Sequence, residues 1–370
     1  MSSKAAIRAE AERLQAVFLA SGASVAEVDL LQPAATLLEL YGEDIRARAY
    51  TTCDPDQGEM MLRPDFTVPV VQQHLAGGSA PARYTYLGEV FRKQPAGSGR
   101  AREYLQVGYE LFNSTVPAAA DAEVFALFSE ILLPLGLTPV TGDIGILLAA
   151  VDSLSTSEAR KSALRRHIWR PRRFHALLDR FTGTLAPSPH RAALPGAAGD
   201  RFAPLIAAAG PAIGVRTPGE IEARLARLQE EAKTPPIAAA ESDVLDEILS
   251  LRKTLPNAFD HLRVITGDLP GLDGAVCCMA RRIEALDAAG VNVTDLPFEA
   301  SYGRTMMEYY DGFVFGFIDE NWPDLPPVAA GGRYDALCRV LGSGQDARAV
   351  GGAIRPERVH QMQSRLAGSG

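Results

Sequence analysis

The sequence predicts an α+β fold in which a mostly antiparallel sheet is flanked by helices. Strand-like segments occur in pairs, as in residues 89–110, where two apolar stretches enclose a turn rich in Pro and Gly. Longer segments with apolar residues at helical spacing lie between these pairs. Strand pairs separated by helices are typical of an antiparallel sheet with helices packed on one side.

The first half of the core is predicted from local patterns. An amphipathic helix over residues 5–21 is followed by a short strand, Pro33 and a second helix. A further strand leads into a helix that begins at Thr67, and the strand pair at 89–110 comes next. Residues 131–151 then predict a helix, a strand and another helix.

The amino-acid composition changes in the middle part of the sequence. Pro-, Ala- and Gly-rich links at 183–200 and 233–242 separate helices rich in Arg, Leu and Glu, which predicts a helical insertion. Strands return afterwards, and Asp311-Gly312 between aromatic and apolar residues predicts a tight hairpin. The expected divisions are an N-terminal part of the core (1–155), the helical insertion (156–260) and a C-terminal part of the core (261–370).

Composition excludes several classes of protein. The 370 residues are 47% hydrophobic and 22% charged, as in ordinary globular proteins. No apolar run approaches the roughly 20 residues that a membrane helix needs, and the charged N-terminus does not resemble a secretory signal peptide. We therefore expect a cytoplasmic protein that does not contact a membrane.

The cysteines and histidines do not indicate a metal site. Cys53, Cys277, Cys278 and Cys338 lack the paired spacing of structural zinc ligands, and the six histidines are scattered singly. We predict neither a metal ion nor a cofactor.

The charge balance is acidic, with one basic segment. The formal net charge is −8, which argues against a general nucleic-acid-binding surface. Residues 159–174 are rich in Arg, and the simplest interpretation is the solvated face of a helix. RNA binding and contact with an acidic protein partner remain alternatives for this segment.

Several segments together resemble the signature motifs of class II aminoacyl-tRNA synthetases, and within that class the histidyl-tRNA synthetase branch. The resemblance covers roughly residues 5–150 and 260–360. It rests on motifs in the family's order: Pro33, LRPDFT (62–67), GRAREYLQVGYE (99–110), EYYDGFVF (308–315), GGRYDAL (331–337) and Glu357-Arg358.

The polar residues of these motifs suit a small zwitterionic ligand, and the resemblance implies histidine. An amino acid needs acids for its ammonium, a cation for its carboxylate and, for histidine, polar and aromatic groups around the imidazole. Asp65 is one carbon shorter than the Glu that is usual in the family. The candidate histidine-binding residues are Asp65, Thr67, Gln106 and Glu110 for the ammonium, Arg92 for the carboxylate, and Tyr310 and Tyr334 for the imidazole.

The same resemblance implies that the nucleotide site is degenerate. Gln94 stands where the family has an acid that accepts the adenine amine, and Arg355 replaces the glycine of motif 3. The family's catalytic arginine aligns with Thr305, and the adjacent Arg304 would substitute for it only if the backbone bulged by one residue. Losing one such cation typically costs a few powers of ten in rate.

The chain also ends soon after motif 3. About a dozen residues follow Arg358, whereas an independent anticodon-binding domain needs roughly fifty or more. We therefore expect no anticodon-binding domain and no tRNA partner.

These features resemble the regulatory subunits of ATP phosphoribosyltransferase, which are paralogues of histidyl-tRNA synthetase. The resemblance implies a non-catalytic protein that acts in the first step of L-histidine biosynthesis. It would activate a short-form catalytic subunit within a hetero-oligomer, mediate feedback inhibition by L-histidine, and form a homodimer through the segment around Pro33. The alternatives are a truncated ligase that activates histidine with ATP and an RNA-sensing module that uses residues 159–174.

Overall fold

The computed structural model of the chain describes residues 3–368, except 42, 99, 114, 187–188, 193–203, 205–206, 209, 212–213 and 345–346. The described helices of four or more residues in α conformation are α1 (Lys4–Ala20), α2 (Ala34–Tyr41), α3 (Thr67–Gly77), α4 (Pro117–Leu132), α5 (Ile144–Ser153), α6 (Glu158–Arg166), α7 (Pro171–Thr182), α8 (Pro189–Ala192), α9 (Pro218–Lys233), α10 (Ala239–Ser250), α11 (Leu255–Ile265), α12 (Asp273–Ala288), α13 (Asp335–Leu341) and α14 (Pro356–Gly368). The strands are β1 (Ser24–Val25), β2 (Leu31–Pro33), β3 (Thr51–Asp54), β4 (Gly58–Leu62), β5 (Ala82–Phe91), β6 (Glu103–Phe112), β7 (Thr138–Asp143), β8 (Arg252–Thr254), β9 (Pro297–Glu299), β10 (Phe313–Ile318), β11 (Ala329–Arg333) and β12 (Ala349–Ile354).

A nine-stranded sheet in the order β1-β5-β6-β12-β11-β10-β7-β9-β8 forms the centre of the fold. Its neighbouring strands are antiparallel except for the pairs β1–β5 and β7–β9. The strands β2, β4 and β3 form a second, antiparallel sheet. The predicted α+β fold with a mostly antiparallel sheet is confirmed.

The larger hydrophobic core lies on one face of the nine-stranded sheet. Side chains alternate between the faces of a strand, so Val107, Tyr109 and Leu111 of β6 point into this core. Helices α1, α4, α12 and α14 cover it. Phe125 of α4 contacts Phe315 of β10 edge-on, with ring centroids 5.6 Å apart.

The opposite face carries a smaller core and the polar positions of β6. Phe66 stacks on Tyr86 with ring centroids 4.2 Å apart, and apolar residues of α3 and α13 pack beside them. Helices therefore lie on both faces, whereas the strand pattern predicts them on one. The short α13 follows β11 directly and brings Leu337 against this second core, a placement that only the tertiary contacts decide.

The hairpin predicted at Asp311-Gly312 is wrong. β10 begins after this pair, at Phe313, and its antiparallel neighbours are β7 and β11 rather than the preceding residues. The Asp311 carboxylate instead accepts hydrogen bonds from the backbone N–H groups of Asp335 and Ala336, at 3.0 and 2.6 Å. It thereby satisfies N–H donors that the first turn of α13 leaves free.

The segment predicted as a helical insertion contains helices α6 to α10, and much of the link predicted at 183–200 lies outside the described residues. Leu164, Phe174 and Ile248 join the large core, and β8 belongs to the nine-stranded sheet. The segment is therefore packed against the core. The predicted boundaries at 155 and 260 stay a prediction.

A buried ion network ties the core helices to the sheet. Asp121 of α4 accepts from Arg282 of α12 at 2.8 Å and from Arg333 of β11 at 2.7 Å. Arg282 also reaches Asp143 at 2.7 Å, and Arg333 reaches Asp335 at 3.0 Å. Each charge of this network thus has an opposite charge beside it, which offsets the cost of its burial.

Candidate functional site

A cavity of about 960 Å³ opens on the face of the sheet that carries the polar positions of β6. Its wall combines β6, the β4–α3 connection, the basic loop between β5 and β6, the turn before β10 and the β12–α14 connection. The cavity contains both predicted groups of residues: Asp65, Thr67, Arg92, Gln106 and Tyr310 from the candidate histidine site, and Gln94, Thr305 and Arg355 from the degenerate nucleotide site.

One end of the cavity is lined by buried polar side chains. Asp65, which precedes α3, is 5% exposed, and Gln106 of β6 is 4% exposed. The side-chain oxygen of Gln106 has no hydrogen-bond partner among the described residues. A buried polar atom without a partner is costly, so this end suits a ligand that donates hydrogen bonds. The ring of Tyr310 forms an aromatic wall beside it.

Glu110 and Tyr334 lie behind this end rather than in its lining. The Glu110 carboxylate accepts hydrogen bonds from Thr67 Oγ1 at 3.0 Å, from the Tyr86 hydroxyl at 3.2 Å and from the Tyr334 hydroxyl at 2.6 Å. The sequence predicts that Glu110 and Tyr334 contact the ligand directly. In this structure neither residue belongs to the lining of the cavity. Glu110 instead binds Thr67 and Tyr86, which do line the cavity, and Tyr334 binds Glu110.

Burial dominates the electrostatics of Glu110. Removal from water disfavours the carboxylate and raises the pKa of Glu110 to about 7, although its three hydroxyl partners oppose the shift. Gly351 of β12 makes room for the group, because a Cβ at this glycine would lie 1.5 Å from Oε2 of Glu110. The glycine is therefore needed for close approach.

The basic loop contributes cations to the middle of the cavity. Arg92 and Arg100 both line it, and Nε of Arg92 donates to the carbonyl of Pro64 at 2.8 Å. This bond fixes the guanidinium beside Asp65. Lys93 turns away and donates to the carbonyl of Arg46 at 3.3 Å. The strand–loop–strand predicted at 89–110 is confirmed, and it delivers two arginines to the site.

The other end of the cavity is occupied in part by Arg355. Its guanidinium donates to the carbonyl of Pro327, and burial lowers the pKa of Arg355. Gln94 and Thr305 line the same cavity. The arginine therefore links the β12–α14 connection to the turn at 324–327.

Arg304 does not take the place of Thr305. Its Nε donates to the carbonyl of Ile168 at 2.7 Å, and its guanidinium lies 5.0 Å from the centre of the Phe174 ring. It lines a smaller neighbouring cavity instead of the large one. The alternative in which Arg304 replaces the missing arginine is therefore wrong for this structure.

Sequence reasoning missed Tyr86, which lines the cavity and donates to Glu110. The pairing of β5 with β6 could have indicated the position of Tyr86. Tyr86 lies opposite Gly108 in the antiparallel register, and a Cβ at Gly108 would lie 2.1 Å from the Tyr86 ring. A large aromatic residue opposite a glycine indicates a ring that lies flat on the sheet.

A metal-binding cluster and a membrane-spanning helix are both absent from the described residues. Among them, no group of three or more His, Cys, Asp or Glu side chains is arranged to hold a metal ion. None of the helices in the described ranges is long and apolar enough to cross a membrane.

Comparisons with known proteins agree with the geometry. A family model for histidyl-tRNA synthetase matches residues 2–209 and 220–359. Proteins named ATP phosphoribosyltransferase regulatory subunit from Brucella canis and Brucella suis are each 33% identical over 357 residues, which covers 92% of this chain and 93% of theirs.

Solved structures show the same fold. An ATP phosphoribosyltransferase regulatory subunit/histidyl-tRNA synthetase from Bacillus halodurans has a TM-score of 0.68 at 19% identity, covering 98% of this chain and 81% of its own. The histidyl-tRNA synthetase of Nostoc has a TM-score of 0.64 at 17% identity, covering 100% of this chain and 73% of its own. The chain therefore belongs to the family of ATP phosphoribosyltransferase regulatory subunits, within the histidyl-tRNA synthetase-like proteins.

Proposed function

We propose that this protein is a non-catalytic regulatory subunit of ATP phosphoribosyltransferase, which acts in the first step of L-histidine biosynthesis, and that its large cavity binds free histidine. The names of the Brucella relatives support the regulatory role. Phosphoribosyl transfer would take place on a short-form catalytic subunit, which this chain activates and through which it mediates feedback inhibition.

The polar end of the cavity supports histidine as the ligand. Asp65 and the unpartnered oxygen of Gln106 suit the ammonium, and Arg92 suits the carboxylate. Tyr310 supplies an aromatic wall for the imidazole. Glu110 would act indirectly, by orienting the hydroxyl of Thr67. A ligand cation nearby would favour the ionised form of Glu110.

The non-catalytic assignment rests on the residues at the predicted nucleotide site of the same cavity. Activation of an amino acid by ATP needs groups that stabilise charge on the α-phosphate and a place for the adenosine. Here Arg355 lines the cavity and donates to the carbonyl of Pro327, Gln94 offers an amide in place of a carboxylate, and Thr305 carries no charge. We therefore expect this cavity to favour an amino acid over a nucleotide.

Exposed apolar side chains support a homodimer through the segment around Pro33. Val25, Leu30 and Leu31 are 48%, 37% and 40% exposed, although they lie close together along the chain. Burial of such a group is typical of subunit interfaces. Coupling of about 1–3 kcal/mol between the cavity and the catalytic subunit would give roughly five- to hundredfold control.

Calorimetric titration of the purified chain with histidine and then with ATP tests this proposal. We expect heat from histidine and none from ATP. Replacement of Asp65 by Asn should weaken histidine binding roughly ten- to hundredfold, since a charge-assisted hydrogen bond is lost. Asp324→Asn is the matched control, because Asp324 lines the same cavity but is exposed to solvent. Saturable binding of ATP without binding of histidine would refute the proposal.

A second experiment tests the partnership. Mixed with a short-form catalytic subunit, the chain should co-elute with it in size-exclusion chromatography and increase its turnover. The chain alone should show neither phosphoribosyl transfer nor histidine-dependent exchange of pyrophosphate into ATP. Such exchange would favour the truncated ligase instead.

A further inference from the structure

A second, smaller cavity lies beside the large one, between the helical segment and the turn that precedes β10. Its volume is about 480 Å³. Pro171 and His175 of α7 and Leu249 of α10 form one side, and the turn with Ser301 and Arg304 forms the other. Thr305, Met306 and Pro327 separate it from the large cavity, since they line both.

Arg304 is a buried cation in the wall of this cavity. The residue is 4% exposed. One nitrogen, Nε, donates to the carbonyl of Ile168, while Nη2 is buried without a hydrogen-bond partner among the described residues. The guanidinium therefore has donors that the described part of the protein does not use.

No carboxylate within the described ranges compensates this charge. Arg304 takes part in no ion pair there, and burial alone lowers its pKa to about 10. The buried Arg282 and Arg333 differ, because each contacts Asp121 and carboxylates raise their pKa values. A buried charge without a counter-charge is expensive, so Arg304 has a reason to attract an anion that the other two lack.

The acidic residue in the wall of the cavity already has a cationic partner. Glu299, the acid in its wall, pairs with Arg252 at 2.7 Å and accepts from Ser301 at 3.0 Å. The hydroxyl of Tyr302 is buried and has no hydrogen-bond partner among the described residues. Burial raises the pKa of Tyr302 to about 12, so the hydroxyl remains protonated at neutral pH and able to donate.

We propose that this second cavity is a binding site for a small oxyanion, a phosphate or carboxylate group, which pairs with Arg304. A guanidinium offers parallel N–H donors that match both groups. The site is separate from the cavity proposed for histidine, and its existence does not depend on which ligand that cavity takes.

Fluorescence of Trp169 provides a local test. The chain has two tryptophans, and Trp322→Phe leaves Trp169, which directly follows the residue whose carbonyl binds Arg304. Inorganic phosphate and acetate are titrated separately at constant ionic strength with chloride as the reference anion. We expect a saturable change with at least one of them, and the tighter of the two identifies the group that the site prefers. No saturable change with either anion would overturn the proposal.

Variants test whether the fluorescence change arises from an anion bound at Arg304. In the Trp322→Phe background, Arg304→Gln retains a donor for Ile168 but removes the charge, and it should weaken the anion at least tenfold. Arg172→Gln, exposed on the same helix α7, and Arg100→Gln, in the large cavity, should leave the affinity unchanged. An unchanged affinity in Arg304→Gln, or an equal loss in either control, would refute the site.

A second variant covers the case in which Arg304→Gln does not fold. Leu249→Phe adds volume to the opposite wall of the cavity without touching the charge. It should abolish the saturable change, because the anion no longer fits. Persistence of the wild-type affinity in this variant would also contradict the proposal.

Discussion

The stability of this protein should depend on pH through Glu110, and replacing that residue by Gln should remove this dependence. The carboxyl is fully enclosed, and its pKa rises from 4.5 to about 7 on folding. Between these two pH values the folded state keeps a proton that the unfolded state has lost. The free energy of unfolding therefore falls as the pH rises through this window, and the whole decrease is present above pH 7.

The size of the effect follows from the shift. A change of about 2.5 pKa units corresponds to about 3 kcal/mol, which is a large part of the stability of an ordinary domain. Glu110→Gln carries no titrating group and keeps an acceptor for Thr67 or Tyr86. Between pH 4.5 and pH 8, the free energy of unfolding of this variant should therefore rise by about 3 kcal/mol relative to that of the wild type.

Urea denaturation at several pH values between 4.5 and 8 measures this difference. Other titrating groups, such as Asp311, whose pKa burial raises to about 6, occur in both proteins and cancel. Glu103→Gln, at the exposed start of the same strand, is the matched control and should follow the wild type. Parallel curves for the wild type and Glu110→Gln would show that the folding-linked pKa shift of the buried carboxyl is absent.

Three further predictions concern packing and buried charge; the first two are measured by the free energy of unfolding and the third by proteolysis. Gly351→Ala should cost about 1–3 kcal/mol or more, since the new methyl would lie 1.5 Å from the Glu110 carboxylate, whereas Gly77→Ala meets open space and should cost little. Asp121→Ala should cost about 3–5 kcal/mol because two buried arginines lose a partner; a loss below 1 kcal/mol would contradict this. Arg160→Leu should destabilise the packing of α6 on the end of α9, since its guanidinium donates to carbonyls of residues 231, 234 and 235, and faster proteolysis near residue 235 is the expected sign.

The sequence by itself determined the elements whose signals are local. The apolar alternation and the Pro- and Gly-rich turn at 89–110 predict β5, the basic loop and β6, and all three are present. The helix at Thr67 and the helix after Pro33 follow from periodicity in the same way. The order of the motifs, through the family resemblance, predicted that Asp65, Gln106 and Arg355 share one site, and all three line the large cavity.

Only the tertiary structure decided where individual side chains point. Glu110 alternates onto the correct face, but three hydroxyl groups from α3, β5 and the start of α13 enclose it, and no local pattern encodes that coincidence. Asp311 satisfies a distant helix instead of forming a hairpin. Arg304 turns towards the helical segment, whose carbonyl and aromatic ring lie more than 100 residues away along the chain. These side-chain orientations depend on long-range packing and burial, and local sequence patterns do not contain that information.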